Sequence, residues 1–318
     1  MTRAVRASPS AGARPVAERE SGAITALAQQ ASVEMTCHDS AHLDACRASL
    51  ATGASVYVSF LPGQTWRETL LACVAVRNSG LEPVPHLPVR EFADGRELER
   101  VVADLVAQAG IRRVLLIAGD RADPRGPFAN TLDVIGGSVL TRCGIRDVTV
   151  AGHPEGHPRI PADELRRVEL RKVSCAADAG IELTFLTQFF FEVSPFLNWV
   201  KQLRARGLHS RVVAGLAGPA KLTTLLRYAA RCGVGPSIRA LGARPASFAA
   251  LVGERGPEQI LRAIARAMSA REIDSVGIHL YSFGGLARTC SWVDAVAQGR
   301  FVLDSDAGGF RAAERNGV

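Results

Sequence analysis

The sequence predicts a single (β/α)8 TIM barrel with disordered N- and C-terminal tails. Short β-rich apolar runs alternate eight times with helix-length amphipathic segments. Most of these runs are continuously apolar, as strands covered on both faces should be. Eight such units fill roughly 250 residues, the usual span of this barrel. The main competitor, a doubly wound sheet, lacks its phosphate fingerprint. No GxGxxG follows the first strand, no GxxxxGK[ST] occurs, and Gly215-Leu-Ala-Gly-Pro-Ala-Lys221 has the wrong spacing.

In chain order the expected strands cover 32–37, 55–60, 83–89, 113–119, 147–152, 182–190, 211–216 and 275–281. The intervening helices are expected near 40–52, 65–79, 95–109, 130–143, 162–179, 195–206, 220–232 and 256–269. The third of these is the clearest. Leu98, Val101, Val102, Leu105 and Val106 form an i, i+3, i+4, i+7, i+8 stripe, and Gly110 stands where a helix C-cap would. The catalytic domain is accordingly placed at 26–303. Residues 1–25 read as a flexible tail without the apolar stretch of a secretion signal, and 304–318 as a second tail poor in core residues.

Composition removes several function classes. The chain is 47% hydrophobic, and its most apolar stretch, 181–200, is interrupted by Glu182, Gln188, Glu192 and Pro195, so no membrane span is expected. The net charge of +7 invites a nucleic-acid reading, but only Lys172, Lys201 and Lys221 are lysines, basic runs are absent, and aromatics do not interleave with cations. The charge is instead local. Residues 201–280 hold 13 Lys/Arg against 4 Asp/Glu, a field suited to a small polyanion. Seven scattered cysteines with no CxxC pair imply reduced thiols and a cytoplasmic protein.

Barrel chemistry sits at the C-terminal strand ends. There the sequence delivers Glu34 and Thr36, then Ser59, His86, Gly119 with Asp120, and His153-Pro-Glu155-Gly-His157. Thr187-Gln188-Phe189-Phe190, Gly215, and His279 with Tyr281 follow from the last three strands. Polar groups on apolar strands are costly unless satisfied or used, and nearly one per strand marks a site. The pairs His38/His42 and His153/His157 carry an i, i+4 spacing, but the second is a loop and no third ligand is evident, so no metal is expected. No GxSxG or activated cysteine signals a nucleophile. Glu34 and Asp120 could pair as in a glycosidase, although their apolar and aromatic surroundings do not resemble a sugar site. A carboxyl on an apolar strand suits a general acid, because desolvation raises its pKa.

Ala151-Gly-His-Pro-Glu-Gly-His157 resembles the AGYPEGH loop of 5,10-methylenetetrahydrofolate reductases, and Thr187-Gln-Phe-Phe-Phe-Glu192 resembles that family's TQFFFD strand. Pro85-His86-Leu87, Gly119-Asp120 and Gly277-Ile-His-Leu-Tyr281 follow in the family's order, so the resemblance spans about 31–285. It implies an FAD-dependent oxidoreductase of one-carbon metabolism, serving methionine biosynthesis or the reverse oxidation. NADH or NADPH would reduce the flavin, and a tetrahydrofolate derivative would then take the nicotinamide's place. Glu34 would be the general acid. Asp120 would lie near flavin and pterin, Gln188 and Phe189 would hold the pterin, and Tyr281 would close the eighth-strand side. Ser59, His86, Gly119, Asp120, His153, Glu155, His157 and Lys172 would bind FAD. The family's Arg and Tyr are replaced here by Ala118 and His153. The alternatives are a tetrahydrofolate-dependent methyltransferase barrel and a folate-binding barrel without hydride chemistry. The resemblance implies no nucleic-acid or membrane partner and leaves a homo-oligomer open.

Overall fold

The structure, a computed structural model, describes residues 16–232, 254–305 and 308–313. Eight parallel strands, Ser32–Met35, Ser55–Val58, Glu82–Pro88, Arg113–Ile117, Asp147–Gly152, Glu182–Thr187, Arg211–Ala217 and Val276–Tyr281, close into a barrel in the order 1-8-7-6-5-4-3-2. The expected fold class is therefore the observed one. Strand periodicity sorts the side chains. Val33, Met35, Val56 and Val58 point outward into the main core beneath the helices, while Tyr57, Val84, Leu115, Leu186 and Val213 fill the barrel interior.

The helices form for local reasons. Trp66–Asn78 starts at a capping box, in which Thr65 accepts from the Glu68 amide and the Glu68 carboxylate accepts from the Thr65 amide. Gly95–Ala109 starts at Asp94, whose carboxylate accepts from the Glu97 amide at 2.8 Å. It stops at Gly110, whose φ of 60° makes the left-handed cap expected from the sequence.

Several elements depart from expectation. The sixth strand ends at Thr187, so Gln188, Phe189 and Phe190 leave the ladder and turn across the barrel mouth. The helix expected over 130–143 breaks into Leu132–Ile135 and Val139–Arg142, because Gly136 and Gly137 interrupt it. A helix over Leu286–Ala297, unforeseen in the sequence, follows the eighth strand with Cys290, Val293 and Val296 buried.

Both expected tails contain ordered structure. The helix Val16–Gln29 begins inside the first, buries Ile24, and places Glu20 against Arg262 at 2.8 Å and against Arg266. In the second, Phe310–Ala312 pairs antiparallel with Phe301–Leu303 and seats Phe310 on Trp292. The apolar faces of these short segments supply the burial that their overall composition conceals. Residues 233–253, part of the basic 201–280 block, lie outside the described residues. Among the described residues no helix is long and apolar enough to cross a membrane.

Candidate active site

Glu34 points into the barrel mouth between two imidazoles. His86 Nε2 and His279 Nε2 each lie 3.5 Å from Glu34 Oε2, at the outer limit of a hydrogen bond. His279 is fully buried, and its Nδ1 is 2.9 Å from Ser32 Oγ. That contact spans the seam where the first strand meets the eighth, with Ser32 paired to His279 in register. Ser59, buried just past the second strand, acts on the same carboxyl and favours its charged form, so the expected flavin donor lies beside the acid.

The electrostatics of Glu34 correct the sequence expectation. Burial pushes its carboxyl up, but the facing His279 and His86 imidazoles and the nearby Ser59 hydroxyl outweigh it. The net direction is down, so burial alone does not make this group an acid. Burial pushes His86 down more than the Glu34 carboxylate raises it. Both directions favour a Glu34 carboxylate facing a neutral His86.

Above this cluster lies an aromatic wall. The Tyr281 hydroxyl donates to the Thr187 carbonyl at 2.9 Å, and the Tyr281 ring meets His279 edge-on at 4.9 Å. Phe189, fully buried, packs edge-on against Tyr281 and Phe283 at 5.9 and 4.8 Å. Tyr228 stacks on Phe283 at 4.3 Å. Gly215 is what lets the sixth, seventh and eighth strands come this close. A Cβ there would stand 2.2 Å from the Thr187 carbonyl oxygen and 2.8 Å from the Tyr281 ring. The Gly215 amide also donates to Thr187 Oγ1 at 2.9 Å.

A second cluster lies at the exit of the fifth strand. His153 meets His157 edge-on at 5.4 Å. Burial, then the charge of Lys172, push His153 down to about 4. Lys172 is itself only 8% exposed, and burial lowers it to about 8 despite Glu169 nearby. Glu169 is already committed, accepting from Trp199 Nε1 and Arg206 Nη1, each at 2.8 Å. Lys172 forms no ion pair among the described residues. Glu155 is half-buried in the same loop.

The remaining expected residues stand apart from both clusters. Asp120 is exposed beyond the fourth strand, after Gly119, whose φ of 91° brings the backbone against Pro88. Gln188 is exposed, its Oε1 accepting from the Phe189 amide at 3.2 Å. The structure thus unites Glu34, Ser59, His86 and Tyr281, and separately His153, His157 and Lys172. Sequence reading missed Ser32, Tyr57, Tyr228 and Phe283. Tyr57 carried a signal as a phenol in an otherwise apolar strand, whereas Tyr228 and Phe283 required the packing. Among the described residues no cluster of three His, Cys, Asp or Glu side chains could hold a metal ion.

Fold and mouth together define a (β/α)8 barrel built around a carboxyl–imidazole site. Residues 21–237 match the family model for methylenetetrahydrofolate reductase, and the chain belongs to that family. It is 29% identical over 153 residues to the 5,10-methylenetetrahydrofolate reductase of Pectobacterium carotovorum, covering 48% of each chain. It is 29% identical over 140 residues to that of Escherichia coli, covering 43% of this chain and 44% of that one. To methylenetetrahydrofolate reductase 2 of Saccharomyces cerevisiae it is 33% identical over 131 residues, covering 38% and 21%. The matches span about half the length of the bacterial relatives, or less.

Proposed function

We propose that this chain is an oxidoreductase that interconverts 5,10-methylenetetrahydrofolate and 5-methyltetrahydrofolate, with FAD as cofactor and NADH or NADPH as co-substrate. The observation that carries this reading is Glu34, a half-buried carboxyl flanked by two imidazoles beneath an aromatic wall. Opening the five-membered ring of methylenetetrahydrofolate to an iminium requires a proton on the departing nitrogen. The Glu34 cluster can hold one there. A folate ring that covers the site and excludes water would push the Glu34 carboxyl upward and favour its holding that proton. Tyr281, Phe283 and Tyr228, backed by the buried Phe189, offer the flat rings against which a pterin and its aromatic amide can lie. Gln188 supplies an amide at the rim, and Asp120 a carboxylate.

The residues of the second cluster fit FAD. Lys172 is a buried ammonium whose neighbouring carboxylate is already bound elsewhere, a suitable partner for a phosphate. Gly119 permits close backbone approach, and His86, Glu155 and His157 would add polar contacts to the cofactor. His153 would lie beside the nucleotide as a neutral imidazole. FAD held there would supply hydride transfer between reduced nicotinamide and folate, the two substrates using the same place in turn.

Separate half-reaction assays test this. The wild-type protein is expected to be yellow, to be bleached by NADH or NADPH, and to be reoxidised by methylenetetrahydrofolate. Glu34→Gln is expected to keep the first half-reaction and to lose the second by ~10²–10⁴-fold, the usual worth of a positioned acid. A colourless protein active in folate methyl transfer would establish the methyltransferase reading instead.

A further inference from the structure

The barrel interior beneath the site holds one aromatic ring, the Tyr57 phenol, among aliphatic side chains and the hydroxyls of Thr149 and Thr184. Tyr57 sits in register with Glu34 on one side and Val84 on the other, is 3% exposed, and is surrounded by Val84, Leu115, Leu186 and Val213. A leucine or phenylalanine would fill this space without bringing a hydroxyl into a dry core, which costs roughly 1–3 kcal/mol when poorly paired. The hydroxyl reaches across the barrel to Thr149 on the fifth strand, with 3.3 Å between Oη and Oγ1. Two edges of the ring face the acid site. His279 lies 4.8 Å away at 67°, and His86 lies 6.1 Å away at 76°.

We propose that Tyr57 is a positioning residue for the acid site: its phenol, tethered at Thr149, is the wedge that holds the His86 and His279 imidazoles against Glu34. This role rests on the reading of Glu34 as the proton donor. The ring touches both imidazoles at once, so its height in the barrel sets the two Nε2–Oε2 separations together. Burial keeps the phenol protonated, so it is a neutral spacer that does not compete for the site's proton. The titratable groups facing the imidazoles are Glu34 from the first strand and Tyr57 from the second, along with each other and Tyr281. Arg113, Asp147 and Arg211 act on the phenol from the opposite end of the barrel.

The test uses the full chain carrying Tyr57→Leu, Tyr57→Phe, Thr149→Val, and the last two combined. The His86 and His279 imidazole titrations are followed by NMR, with kcat and KM of the folate half-reaction measured across pH. Tyr57→Leu is expected to move both titrations by more than ~0.5 pH unit. It should also lower kcat ~10-fold or more with KM within ~2-fold, as misplacement of a catalytic group does. Tyr57→Phe and Thr149→Val each break the same hydrogen bond, so their smaller shifts should be equal and should not add in the double variant. Wild-type titrations in Tyr57→Leu overturn the proposal. If that variant fails to fold, wild-type titrations in both Tyr57→Phe and Thr149→Val overturn it equally. Shifted titrations in a protein whose wild type has no folate half-reaction would uphold the wedge while refuting the reductase reading.

Discussion

The two sides of the barrel mouth solve opposite electrostatic problems. On the seam side, the half-buried Glu34 carboxyl faces two imidazoles and a serine that favour its charged form. On the fifth-strand side, Lys172 is buried without an ion-pair partner among the described residues, and its charge depresses the neighbouring His153. The difference shows that burying a charge can mean two things. A compensated charge makes a self-contained proton site, whereas an uncompensated one lowers stability until an anion arrives. Lys172 weakens the protein in the state that would receive a phosphate.

The largest expected effect on this contrast is the loss of folate turnover in Glu34→Gln described above, on the compensated side. On the other side, Lys172→Met is expected to act in opposite directions on binding and stability. It should weaken FAD binding ~10–100-fold, the worth of one charge-assisted contact, while raising the melting temperature of the flavin-free protein. Fluorescence titration and calorimetry would measure the two. A variant that loses both affinity and stability would end the distinction between the two sides.

A smaller effect concerns pH. The folded pKa of His153, about 4, lies below the ordinary 6.5. The unfolded chain therefore binds more protons across that interval, and stability rises with pH from about 4 to 6.5. His153→Phe should flatten this slope in urea titrations at pH 4.5 and 6.5, leaving the Glu34 side unchanged. Least of all, Tyr281→Phe removes the bond to the Thr187 carbonyl and should cost about 1 kcal/mol of unfolding free energy.

The barrel and most of its mouth were legible in the sequence because strands covered on both faces leave continuous apolar runs, and polar residues at their ends stand out against them. Glu34, Ser59, His86 and Tyr281 were visible for that reason. What the pattern could not carry was pairing. Nothing in the sequence around Glu34 tells that His86 and His279 converge on one of its oxygens, so the expected upward shift of its carboxyl has the wrong sign. The break at Gly136–Gly137 was written in the sequence, yet helical periodicity outweighed it. The helix Val16–Gln29 stayed hidden because its polar faces dominate a stretch with few core residues, and its buried Glu20 finds its partners more than two hundred positions away.

That helix gives the molecule a mechanical property. The first and eighth strands share only the pairings Ser32–His279 and Val33–Leu280, while the seventh and eighth run together from Val212–Val276 to Ala217–Tyr281. Glu34 and His279 approach each other across that thin join, and Val16–Gln29 packs on the helices Glu258–Ser269 and Leu286–Ala297, before and after the eighth strand, clasped by Arg262 and Arg266. The eighth strand that carries His279 is thus braced from outside the barrel. Strain applied at the amino terminus, by truncation or by a fused domain, would reach the chemistry as a change in distance between an acid and its imidazole.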